Sequence, residues 1–78
     1  MNKHVVVYST PTCPWCMKVK QFLKGSNIVF EDVDIASNQQ AAELMVEKSG
    51  QMGVPVVDIE GEIIVGFDQE RIREALGI

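Results

Sequence analysis

Val5-Val6-Val7-Tyr8-Ser9-Thr10-Pro11-Thr12-Cys13-Pro14-Trp15-Cys16 is the stretch on which the reading of this 78-residue chain turns. A β-branched run ends in a short polar turn, and the turn delivers two cysteines, three positions apart, onto a segment with helical spacing. They are the only cysteines in the chain. A strand that hands a Cys-x-x-Cys pair to a helix N-terminus is a redox arrangement with a physical basis. Unpaired amides and the positive dipole end favour an anion there, so the first sulfur is suited to act as a thiolate. The second lies about one helical turn further on, close enough to close a small disulfide ring. Pro14 fits the first turn, where its missing N–H has no partner to lose.

Such a pair is also half of many zinc sites, and spacing alone does not separate the two. Zinc needs about four ligands. The chain has no second Cys-x-x-Cys, and its one histidine, His4, stands at a strand start where a solvated surface role is the ordinary one. An iron–sulfur cluster needs more thiolates than one chain supplies, and so a dimer or an added thiol. Redox chemistry is favoured and no resident metal is expected. Cys13, at the helix tip, is the nucleophile in this reading, and Cys16, on the core-facing side, is the resolving thiol.

Outward from that stretch the elements alternate. Residues 4–8 predict a strand buried on both faces. Residues 14–24 predict a helix with Cys16, Val19, Phe22 and Leu23 inward and Gly25 as C-cap. Residues 28–34 predict a second, more polar edge strand. Ser37 and Gln40 have capping-box spacing and open a helix facing Ala41, Leu44 and Met45 inward, which Gly50 stops. Residues 54–59 and 62–65 predict a hairpin turned by Glu60-Gly61. Asp68 is a good N-cap, Phe67 can staple onto Ile72, and Ile72, Ala75 and Leu76 face the core of the last helix. The expected fold is α/β, β-α-β-α-β-β-α, with three helices on both faces of a four-stranded mixed sheet. Its first two strands are parallel and its closing hairpin antiparallel. Pro55 sits awkwardly at the head of an apolar strand, and local rules alone make a cis bond there a case of about 5–6%.

Length and composition bound the function. Seventy-eight residues make one small domain, 1–78, near the size where one core only just suffices. A net charge of −4 argues against nucleic acid as a partner. No apolar stretch approaches the roughly 20 residues of a membrane span, and the N-terminus has no secretory-type apolar region. The expectation is a cytoplasmic monomer in a reducing compartment, where such a cysteine pair is catalytic rather than structural. Lys18, Lys20 and Lys24 gather on the helix after the pair. They read either as a solvated face or as a basic rim that steadies the thiolate and steers acidic partners.

Taken together, these features resemble the thioredoxin-fold family, and within it the glutaredoxins. The anchors are residues 8–16, then Gly53-Val54-Pro55-Val56-Val57, then Gly66-Phe67-Asp68. Cys13-Pro14-Trp15-Cys16 is similar to the dithiol glutaredoxin motif, which implies reduction of protein or glutathione mixed disulfides. The resemblance implies a cis Val54–Pro55 bond beside the sulfur, with Val54 offering its backbone to an extended substrate. It implies Trp15 as a wall of the docking groove. Glutathione would meet Gly66, Phe67 and Asp68 at its γ-glutamyl end and Gln51 at a carboxylate. Glutaredoxins commonly carry a basic residue where this chain has Thr10, so the one carboxylate anchor retained, Gln51, is neutral. Pro55-Val56-Val57 and Gly66-Phe67 instead resemble redoxins that take electrons from thioredoxin reductase, with NADPH, and pass them to ribonucleotide reductase. Disulfide-containing proteins are the implied substrates, and glutathione or thioredoxin reductase the implied donor. A non-enzymatic carrier of a metal or iron–sulfur cluster is the rival of another class.

Overall fold

In the computed structural model, which describes residues 4–78, the β-branched run becomes β1 (Val5–Ser9), buried along its whole length. A strand between two helical layers has no solvent face, so continuous apolar side chains suit it. β1 pairs in parallel with β2 (Glu31–Asp34) and antiparallel with β3 (Val56–Ile59). β4 (Glu62–Val65) follows antiparallel to β3, giving the sheet order β2-β1-β3-β4 with β2 and β4 as its edges. With α1 (Pro14–Gly25), α2 (Gln39–Ser49) and α3 (Gln69–Leu76) the order is β-α-β-α-β-β-α, the predicted mixed sheet. Of the predicted 1–78 domain, residues 1–3 lie outside the described residues.

Alternation along the strands builds two cores. Val5, Val7, Val57, Ile59 and Ile64 meet Val19 and Leu23 of α1 and Ile72 and Ala75 of α3. Val6, Tyr8 and Val56, with Ile63 packed against them, meet Met45 of α2 on the other face. A fully buried Val, Leu or Ile contributes roughly 1.5–3 kcal/mol, so these two faces carry the fold. Across the second face Lys48 Nζ donates to Asp58 Oδ2 at 2.7 Å and to Tyr8 Oη at 3.2 Å, pinning α2 to β3 and β1. The bond to Asp58, and then that to Tyr8, raises the Lys48 pKa.

Several boundaries move. β1 starts at Val5 and ends at Ser9, one residue later than predicted at each end. Residues 28–30 are not part of β2: Ile28 and Phe30 pack against the first core ahead of the ladder. Val54 and Pro55 precede β3, because the cis Val54–Pro55 peptide turns the chain there. α1 runs through Gly25, and its left-handed residue is Asn27 at φ 58°. Ile28 N–H donates to Leu23 O at 2.9 Å and Asn27 N–H to Lys24 O at 3.1 Å, the paired closure of a Schellman end. α2 is capped by Asn38, whose Oδ1 accepts from Ala41 N–H at 3.0 Å, and not by Ser37. Asp34 draws Ser37 into the preceding turn, its Oδ1 accepting from Ala36 N–H and its carbonyl from Ser37 Oγ. Leu44 is 43% exposed, and Met45 is the buried residue of α2. The Glu60-Gly61 turn has φ of 53° and 92°, positive at both positions as a two-residue hairpin of this kind demands. Asp58 Oδ1 secures it from Gly61 N–H at 2.8 Å.

Candidate active site

Cys13 takes the N-cap position of α1 with extended backbone, φ −95° and ψ 111°. An N-cap normally presents a side-chain oxygen to the free amides of the first turn. Here the sulfur does this, and Cys13 Sγ accepts from Cys16 N–H at 3.1 Å. Pro14 fills the first helical position and no acidic residue lies in the first turn, so no carboxylate there competes for the free amides. Cys13 is half-buried; Cys16 is completely buried against α1's inner face. Burial, and next the hydrogen bond with Cys13, push the Cys16 pKa from 9.0 up to about 11. Cys16 therefore keeps its proton at neutral pH, while Cys13 is the sulfur open to solvent.

Opposite the sulfurs stands the turn before β3. The Cys13 thiol donates to Val54 O at 3.8 Å. Pro55 is buried, and its carbonyl accepts from Gly66 N–H at 2.8 Å, which ties this turn to the end of β4. Gly66 has φ 80°, a conformation a side chain would oppose. Trp15, Val54, Pro55, Gly66 and Phe67 line a groove of about 290 Å³. Trp15 is 55% exposed, with Lys18 Nζ 4.4 Å from its ring centroid. Phe67 meets Phe22 edge to face at 6.1 Å, so the groove floor joins the first core.

The fold thus brings Cys13, Cys16, Trp15, Val54, Pro55, Gly66 and Phe67 together. Asp68 adjoins them as the N-cap of α3, its Oδ1 accepting from Arg71 N–H at 3.2 Å. Gln51 is not among the lining residues, and its carboxamide is turned onto its own loop. The sequence reading does not find Asp32, which accepts from Lys20 at 3.0 Å and from Ser9 Oγ at 2.9 Å. Burial raises the Asp32 pKa, but the bonds from Lys20 and Ser9 outweigh it and leave the group below its ordinary value. A serine ending one strand and an acid in its polar neighbour were the available signal. Two of the three α1 lysines are accordingly engaged, Lys18 by Trp15 and Lys20 by Asp32. Among the described residues no group of three or more His, Cys, Asp or Glu could hold a metal ion, and no helix is long and apolar enough to cross a membrane.

A mixed sheet of this order, with a helix-tip sulfur facing a cis-proline turn, defines a thioredoxin-like fold. Methanoredoxin from Methanosarcina acetivorans has that fold in common, with a TM-score of 0.87 at 29% identity over 100% of this chain and 97% of its own. The chain belongs to the glutaredoxin family, whose sequence profile matches residues 5–64. It is 52% identical over 72 residues to an uncharacterized glutaredoxin-like 8.6 kDa protein in the rubredoxin operon of Clostridium pasteurianum, covering 92% of this chain and 96% of that one. Glutaredoxin 3 of Escherichia coli K12 is 31% identical over 74 residues, covering 95% and 89%. Thiol–disulfide oxidoreductase activity is what this family membership suggests.

Proposed function

We propose that the protein reduces disulfides of proteins, or mixed disulfides of glutathione, through a dithiol cycle of Cys13 and Cys16. One observation carries the reading: a half-buried sulfur caps a helix while its buried neighbour holds its proton, 3.1 Å separating Cys13 Sγ from the Cys16 amide. The Cys13 thiolate attacks one sulfur of the target, forming a Cys13–substrate disulfide and expelling the other target sulfur as a thiolate. Cys16 then passes its proton to the expelled target thiolate and attacks Cys13 Sγ. The substrate leaves as a thiolate, the target has gained two electrons, and the protein holds a Cys13–Cys16 disulfide. Once Cys13 ionises it no longer donates to Val54 O, and that carbonyl becomes available to a substrate N–H. An extended segment laid in the groove against Val54 is a strand-like mode of recognition. A reducing cytoplasm suits this cycle.

Trapping tests it. Cys16→Ser is expected to accumulate a one-to-one mixed disulfide with a peptide disulfide, seen by mass spectrometry, and Cys13→Ser none. The reverse pattern would overturn the assignment of roles. Glutathione is the reductant in this reading. A second donor, thioredoxin reductase with NADPH serving a redoxin that feeds ribonucleotide reductase, is favoured by one feature: among the described residues, none that lines the groove is a cation able to meet a glutathione carboxylate. Rapid reduction by thioredoxin reductase with little by glutathione, assayed side by side, would establish that donor.

A further inference from the structure

The loop between α2 and the Val54–Pro55 turn is held by a side chain doing the work of a strand. Gln51 Oε1 accepts from Gly53 N–H at 2.7 Å, and Gln51 Nε2 donates to Gly53 O at 2.9 Å. Both polar groups of Gly53 are thereby paired by one carboxamide, as a neighbouring strand would pair them. Only one orientation of the amide allows this, since the reverse sets donor against donor and acceptor against acceptor. The other Nε2 hydrogen faces Ser49 Oγ at 3.4 Å, and Ser49 Oγ in turn bonds Met45 O at 2.7 Å, in the last turn of α2. A continuous chain of bonds runs from the rigid helix to the residue before Val54. The glycine is required by it: a Cβ at position 53 would lie 2.7 Å from Gln51 Oε1.

We infer that Gln51 is a positioning residue, and that its two bonds to Gly53 hold Val54 at the height and angle from which its backbone receives the substrate. The inference rests on the reading above, in which Val54 meets the target. Gln51 acts through Val54 and touches no reacting atom. An exposed loop with a glycine at its tip is otherwise the kind of segment whose backbone order is lost first. Preorganising it removes an ordering cost from each docking event.

Gln51→Met keeps the length of the side chain and removes both bonds. KM for a peptide disulfide is expected to rise roughly tenfold, about 1.4 kcal/mol, with kcat and the rate of Cys13 alkylation by iodoacetamide nearly unchanged. Gly53→Ala should produce the same KM defect by displacing the carboxamide, and the Gln51→Met/Gly53→Ala double variant should be no worse than either single one. Amide hydrogen exchange supplies a check that needs no turnover: the exposed Gly53 N–H should be protected in the wild type and exchange roughly tenfold faster in Gln51→Met. An unchanged KM in Gln51→Met, single defects that add in the double variant, or an unprotected Gly53 amide in the wild type would each overturn the role given to Gln51. If the wild type reduced no disulfide at all, the functional reading would fall, and the exchange measurement would still judge the bonds to Gly53.

Discussion

Two sulfurs with one covalent structure differ here because one sits at a helix tip and the other inside a core. Cys16 is driven up to about 11 chiefly by burial, and that has a measurable consequence for stability. In the unfolded chain the thiol titrates near 9.0 and in the folded one near 11. A group whose folded value is raised contributes stability that is fully present below the unfolded value and lost as pH rises through the folded one. Urea unfolding of the reduced protein should therefore weaken between pH 9 and 11, by at most about 1.4 kcal/mol per pH unit. A Cys16→Ala control should lack that component; equal slopes for the two proteins would contradict it. The Cys-x-x-Cys pair, with one sulfur at the helix tip and the other buried, is legible in sequence, since spacing and helix polarity act within one turn. The Ser9–Asp32–Lys20 network and the Gln51–Gly53 pairing are not, because each depends on where the backbone brings residues across a ladder or a loop.

Helix ends show where sequence reasoning about elements succeeds and where it stalls. Asp68 and Gly50 stand without nearby rivals, and both cap their helices as expected. Ser37 and Asn38 are adjacent and chemically equivalent as caps; the spacing to Gln40 favours Ser37, and the Asp34 turn makes Asn38 the cap instead. Of the three residues expected inward on α2, Met45 is buried and Ala41 half-buried, whereas Leu44 is 43% exposed. Asn38→Ala should cost about 1 kcal/mol of stability, whereas Ser37→Ala, which loses one exposed bond of 3.4 Å to Asp34 O, should cost less than half of that. Denaturant midpoints of the two variants, compared at equal slope, check the order. At the other end of α1, Gly25 looks like the natural stop, yet Asn27 takes the left-handed position. Asparagine tolerates that conformation well enough for tertiary packing of Ile28 to decide the matter.

For the molecule as a whole, element order follows from hydrophobic period and strand direction from connection rules, and the four strands and three helices of the described residues occur in the expected order with shifted bounds. What period cannot show is how the layers are fastened. Asp58 is a buried carboxylate in the middle of the sheet, read from sequence only as part of an apolar strand, and Lys48 reaches across from α2 to satisfy it. Removing one member of such a pair leaves the other charge without compensation. Lys48→Met should destabilise the fold by roughly 2–3 kcal/mol, while Lys48→Met/Asp58→Val should recover much of the loss. Thermal unfolding that ranks the double variant below the single one would show that the pair itself, and not the unpaired acid, is what matters. The two outer strands raise a different question, that of keeping copies apart. β2 ends the sheet with an unpaired backbone side, yet three of its four residues are Glu31, Asp32 and Asp34. A second copy aligned on that edge would set carboxylates against carboxylates at strand spacing, so the border that could template a fibril instead repels its own kind.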